Sequence, residues 1–324
     1  MTAKRVLLAV SGGADSMAMM WQRRELAGDT MVVSVNHGLR PDAGEDAAFV
    51  KEKAEYLGMS CEVVSPDQPI KAQMTTARDA RYFLLYEAAK RHQCHEIWIA
   101  HQQDDLAETV LMRFERSVGW RGLAGLHTEN MLNDCIIRRP LLAQRRLHLR
   151  MLAQQIGFRD DPSNNNSRFE RIQKRRFLEA HPEWHQPLVK LSQFAHRWRS
   201  RTLKHFMNAW HDGTWRCWDG SVFVHKMLLQ NLDVEAQAWL LDLSRSLLVP
   251  GTYPRTGEKM RAFRQSLLKQ DRSVMGFCVF QWSAEGLLIS LEKGRKPPTA
   301  ALRPLPLDES QLLHLFHKHA RHPI

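Results

Sequence analysis

At 324 residues, 44% of them hydrophobic, and with 46 Lys and Arg against 35 Asp and Glu, the chain is long enough for two domains with real cores. Its net charge of +11 favours a polyanionic partner, nucleic acid first. No run approaches a membrane span, an apolar strand begins almost at once, and the five cysteines (Cys61, Cys94, Cys135, Cys217, Cys278) form no Cys-x-x-Cys pair, so a spanning helix, a secretory leader and a structural zinc or iron–sulfur site are not expected and the expected compartment is the reducing cytoplasm.

Val6 to Val10 is an apolar run with β-branched ends and reads as a buried parallel strand. It stops at Ser11-Gly12-Gly13-Ala14-Asp15-Ser16, and a helical pattern follows. Paired glycines let the backbone turn tightly and aim N–H groups at one spot, and the helix N-terminus behind them adds partial positive charge. Together they make an anion cradle suited to a nucleotide phosphate. No Gly-Lys-Ser/Thr closes it, so it is not a Walker A loop, and the dinucleotide spacing Gly-x-Gly-x-x-Gly is missing. The plain alternative is an ordinary strand-to-helix turn with a capping serine.

Residues 31–35 read as a second strand ending at Asn36-His37-Gly38, followed by a helix from about Pro41 to Leu57 with Gly58 as its stop. A short third strand follows at 61–64, a helix at 75–92, a fourth strand at 96–100, a helix at 104–114, and a fifth strand at Ile136-Ile137 before Pro140. This rhythm predicts an α/β fold, a doubly wound parallel sheet, with ligands beyond the carboxyl ends of its strands. Ser11, His37 and His101 all fall at such ends. After the Asx-rich stretch 160–166, Arg168, Arg171, Lys174, Arg175 and Arg176 crowd a short helix. A long helix then runs to about Trp210, and short helices precede a hairpin over 277–291 that turns at 284–286. The expected division is a nucleotide-binding domain over 1–183 and a smaller, mixed or helical domain over 184–324. The tail histidines His314, His317, His319 and His322 read as scattered surface residues.

The hexad Ser-Gly-Gly-x-Asp-Ser resembles the PP-loop of the ATP pyrophosphatase superfamily. Val35-Asn36-His37-Gly38-Leu39-Arg40, Ala77-Arg78 with Arg81-Tyr82, His101-x-x-Asp104-Asp105 with Glu108-Thr109, Arg121 to Gly125, Arg139-Pro140-Leu141-Leu142 and Asp161-Pro162-Ser163-Asn164 follow in order. Together these segments resemble the tRNA(Ile)-lysidine synthetases over residues 5–180. The remainder is similar to that family's appended domain only in length and in basic, aromatic character.

The resemblance implies a reaction. ATP adenylates the C2 oxygen of the wobble cytidine in an isoleucine tRNA bearing CAU, and pyrophosphate leaves. Free L-lysine then attacks C2 and releases AMP. It implies ATP contacts at Ser11, Gly12, Gly13, Ala14, Asp15, Ser16 and His37, with Asp15 also the link to Mg2+. It places His101, Asp105 and Glu108 near lysine, with Asp15, His101 and Asp105 in catalytic roles. Asp105 and Glu108, three apart, share a helix face, although a solvated acidic first turn would look the same. Arg78 and Arg81 are expected at phosphate or RNA, or on a solvated face. Arg171 and Arg175, four apart, present two guanidiniums suited to tRNA phosphate. The chain departs from the family pattern at Leu106, Ser117 and Ile172, where Gln, Gly and Asn are usual. A homodimer, a tRNA sulfur transferase on the same loop and a silent ATP- or tRNA-binding module stay open at this point.

Overall fold

Val6–Ala9 forms β1, buried along its whole length. Alternate side chains leave it on opposite faces. Val6 and Leu8 join one core with Met17, Met20, Val50 and Leu149, while Leu7 and Ala9 join a second with Leu85, Ala88 and Ile97. Burial on both faces is why the run is continuously apolar. The computed structural model describes residues 5–36, 43–66, 74–160, 170–218, 220–249 and 257–292.

In chain order the first elements are β1, α1 (Ala14–Gln22), β2 (Thr30–Val35), α2 (Ala43–Tyr56), β3 (Ser60–Val64), α3 (Met74–Arg91), β4 (Glu96–Ile99), α4 (Gln103–Glu115) and α5 (Trp120–Leu123). They continue with β5 (Glu129–Leu132), β6 (Cys135–Arg138), α6 (Arg146–Ala153), α7 (Glu170–Ala180) and α8 (His185–His211). The first sheet runs β3-β2-β1-β4-β6-β5, parallel except for the β5–β6 edge. β5 departs from the sequence expectation. Glu-Asn-Met-Leu is half-buried at most and has no strand-like run, but Asn133 adopts φ 54° in a two-residue turn that pairs Leu132 with Cys135.

The chain divides into two compact units, residues 1–112 with 125–189, and residues 113–124 with 190–324. The first unit therefore runs past the expected 183, and 113–124 counts with the second. That unit holds β7 (Trp215–Trp218), β8 (Ser221–His225), α9 (Lys226–Gln230), α10 (Val234–Leu248), α11 (Gly257–Leu267), β9 (Arg272–Met275), β10 (Cys278–Trp282) and β11 (Gly286–Leu291). Its sheet is antiparallel, ordered β7-β8-β11-β10-β9. β10 and β11 are the expected hairpin. β7, β8 and β9 were not expected, because four or five residues around Trp215, Val222 or Val274 are too short to show a period. Trp215, Phe206, Trp239 and Phe280 fill its core. No helix among the described residues is long and apolar enough to cross a membrane.

Candidate active site

β1 and β4 are neighbours, and Ala9 pairs with Ile99. The chain leaves β1 for β2 and β3 on one side, and β4 leads to β6 on the other. The crevice between the carboxyl ends of β1 and β4 is therefore the switch point of the sheet, where such folds take ligands. Ser11 and His101 each stand two residues past the paired strand ends. His37 and 161–169 lie outside the described residues.

The loop after β1 holds itself open. Gly12 adopts φ 86°, which only glycine takes without strain. Its carbonyl accepts from the Arg159 N–H at 2.9 Å. Ser16 Oγ accepts the Ser11 N–H at 3.1 Å and donates to the Gly13 carbonyl at 2.9 Å. Gly13 is the N-cap of α1 and no side chain caps it, so Asp15 is no helix cap. Burial, aided by Asp105 and opposed by Arg146 and Arg175, pushes the Asp15 carboxyl up to about 6. Its Oδ1 is buried without a hydrogen-bond partner. A carboxylate oxygen so placed fits Mg2+, a hard ion that prefers one or two carboxylates plus substrate phosphate oxygens. No group of three or more His, Cys, Asp or Glu among the described residues offers an all-protein cage.

Arg139 fixes His101. Its Nε donates to His101 Nδ1 at 3.1 Å, and its Nη1 donates to the His127 carbonyl and Asn130 Oδ1 at 2.7 and 2.6 Å. Burial and the positive charge of Arg139, Arg171, Arg81 and Arg78 push the imidazole well below its usual range. His101 is thus neutral, and with Nδ1 accepting, its proton sits on Nε2. Arg78 bonds Tyr82 Oη at 3.2 Å and lies over its ring. Arg81 and Arg78 thus add to the positive charge around His101.

The helix after β4 carries the acidic residues. Asp105 accepts the Gln102 N–H at 3.1 Å and pairs with Arg171 at 2.9 Å and Arg146 at 3.4 Å. Burial and Glu108 raise its carboxyl above the usual range, against those arginines. Glu108 is 1% exposed and pairs with Arg146, Arg171 and Arg175 at 2.8, 2.8 and 3.0 Å. Burial alone would raise it, but the three guanidiniums more than offset that and hold it low. Arg171 and Arg175 therefore meet carboxylates of α4, where sequence reasoning set them against tRNA phosphate. Ile172, the departure between them, is buried, so it packs inward without moving either arginine off this face.

Asp104 is held by Arg145 at 3.0 Å and by the Arg146 N–H at 2.8 Å. Beside it lies a cavity of about 210 Å³ lined by Asp104, Glu108, Arg145, Arg146, Arg175 and His185, among others. His185 is 3% exposed, and its Nε2 lies 3.5 Å from Asp104 Oδ1. Sequence reasoning missed Arg145, Arg146 and His185. The tandem arginines opening α6 were a signal, but nothing local said that they faced α4. Arg121 belongs to the second unit, where it lies 3.9 Å from buried Asp242.

A family model described as a PP-loop domain matches residues 1–181. Among curated proteins, the tRNA(Ile)-lysidine synthase of Rhodopseudomonas palustris is 40% identical over 186 residues, 54% of this chain and 54% of that protein. The protein of the same name from Novosphingobium aromaticivorans is 39% identical over 178 residues, 53% and 55% of the two chains. The chain spans about half the length of the curated relatives it matches. Among solved structures, the U34-tRNA thiolase NcsA from Methanococcus maripaludis superposes with a TM-score of 0.50 over 60% of this chain and 72% of that one, at 16% identity, a likeness of fold.

Proposed function

The chain belongs to the PP-loop domain family, which implies ATP as a substrate, and on that premise we propose that it ligates lysine to C2 of the wobble cytidine of tRNA(Ile) bearing CAU. The observation that carries the reading is the pairing of Ala9 with Ile99, which sets the anion cradle and the His101–Asp105 pair at one crevice. ATP lies with its phosphates on the backbone N–H groups of Gly12 and Gly13, whose dipoles stabilise the charge that grows on departing pyrophosphate. Mg2+, when bound at Asp15, neutralises phosphate charge. The cytidine O2 attacks the α-phosphorus and pyrophosphate leaves; the ε-ammonium of lysine gives a proton to the Asp105 carboxylate, and the amine attacks C2 as the C2–O bond breaks and AMP departs. His101, proton on Nε2, donates a hydrogen bond there and cannot serve as a base at Nδ1, which Arg139 occupies.

Lysine is held at Asp105 and Glu108. These two carboxylates interleave with Arg146, Arg171 and Arg175, so the cluster offers a partner for both ends of a zwitterion, an ammonium on Asp105 and a carboxylate on a guanidinium. Geometry supplies much of the rate by holding both reactants together. A tRNA sulfur transferase needs a reactive thiolate. Burial pushes Cys61 up to about 11 and Cys278 up to about 12, and Cys94 and Cys135 upward as well, so these thiols stay protonated at neutral pH.

The test is AMP and pyrophosphate release with ATP, lysine and tRNA, each omitted in turn. AMP forms only when all three are present and the anticodon is CAU. Equal release with the same tRNA bearing GAU overturns the lysidine reading.

A further inference from the structure

Three aromatic rings gather at the surface where α7 ends. Phe177 and His181 are four apart, and the His181 N–H still bonds the Phe177 carbonyl at 2.9 Å. Pro182 then opens a single 3-10 turn, Pro182–Trp184, and the Trp184 N–H bonds the His181 carbonyl at 3.1 Å. The turn brings Trp184 back toward Phe177. Ring centroids are 4.7 Å apart for Phe177 and His181, and 6.5 Å for Phe177 and Trp184. The neighbours Leu178 and His185 are buried and anchor the turn from beneath. The rings are not drawn in with them: Phe177 is 39% exposed and Trp184 45%. Clustered apolar surface left open in this way marks a contact site.

We propose that Phe177, His181 and Trp184 form a stacking platform for unpaired bases of a single-stranded RNA loop. The proposal rests on the reading that the substrate is a tRNA. Flat rings take bases of any identity, whereas an aliphatic patch would suit a protein helix or a lipid. The chain is strongly basic; Lys174 and Arg176 share the helix with Glu170 and Glu179, and His181 lies 3.3 Å from Glu183. That helix also ties the platform to the site. Phe177 lies six residues beyond Arg171, about 9 Å along the axis and about 120° around it, so the rings sit beside the arginine face and not on it. A loop that reaches both the crevice and these rings has to follow the side of α7.

The experiment measures affinity of the full chain for a labelled anticodon stem-loop RNA and for a fully paired duplex of the same length, at several salt concentrations. Phe177→Ala with Trp184→Ala should weaken stem-loop binding about tenfold or more, leave duplex binding within about twofold and leave the salt slope unchanged. Trp184→Phe should retain binding, and Tyr56→Ala, which removes a solitary exposed ring, should change nothing. Phe177→Leu keeps apolar volume without the aromatic face and serves if the double variant does not fold. Unchanged stem-loop affinity, or an equal loss on the duplex, overturns the platform. A lower melting temperature with unchanged binding also overturns it, since the rings would then serve packing alone. If the unaltered chain forms AMP only with lysine and CAU tRNA while the variants bind normally, the platform fails and the lysidine reading stands. If no AMP forms but the variants still lose loop binding, the platform stands alone.

Discussion

Asp15 sets the pH behaviour of the site. Its carboxyl has an ordinary value of 3.8 and sits at about 6 in the fold. The folded protein binds this proton more tightly, so the group's stabilisation is complete below about 3.8 and is lost as pH rises through about 6, on the order of 3 kcal/mol. Asp15→Asn should flatten the stability profile between those values and raise the ligand-free protein's urea midpoint at pH 7, yet abolish most AMP formation. Cation binding needs the ionised form, so affinity for Mg2+ with ATP should fall about tenfold per pH unit below about 6, and Asp15→Asn should remove that dependence in titration calorimetry. Ser117 shows a different cost. It stands where the family usually has glycine and adopts φ 51° at the end of α4. Ser117→Gly should stabilise by about 1 kcal/mol, read as a higher urea midpoint at an unchanged slope.

At the scale of elements, Glu108 binds α4 to α6 and α7 through Arg146, Arg171 and Arg175. Removing its charge takes from Arg175 its carboxylate partner and leaves Arg146 and Arg171 to Asp105 alone, around a buried amide. Glu108→Gln should cost about 3–5 kcal/mol, seen in thermal or urea melting, and should raise the KM for lysine. A loss within about 0.5 kcal/mol, the range of an ordinary surface change, would show that the cluster is only loosely held. In the second unit, Gly286 stands where β11 passes β8. An added Cβ would land on the Val224 carbonyl and the Phe223 ring. Gly286→Ala should cost about 1–3 kcal/mol by that overpacking.

At the scale of the whole molecule, the charge of +11 predicts tRNA binding that weakens steeply with salt. Each arginine on a phosphate contributes about 0.9 to the slope of log affinity against log salt. Arg171 and Arg175 are already committed to Glu108 and Asp105. Arg171→Ala with Arg175→Ala should therefore leave the slope nearly unchanged and lower the apparent affinity for lysine instead. A slope reduced by nearly two units would place both on tRNA phosphate in the complex.

The sequence by itself determined the parallel sheet, the order of its helices and the anion cradle, because these follow from local physics. A run from Val6 to Val10 buried on both faces must be apolar throughout, and Gly12 must be free to take φ 86°. The hairpin of β10 and β11 was legible for the same reason, as two apolar runs about an Ala-Glu-Gly turn. β5 and β7 were not, since neither Glu129–Leu132 nor Trp215–Trp218 is a continuous apolar run, although each pairs with the very next strand. The charged site divides the same way. His101, Asp105 and Glu108 could be named from spacing, but their ionisation could not. Only the fold brings Arg139 to His101 and Arg146, Arg171 and Arg175 around Glu108, from 38, 38, 63 and 67 residues away. Electrostatic pairing acts through space, and burial strengthens it by excluding water, so tertiary structure alone decided which arginines face the α4 carboxylates and which rings stay at the surface.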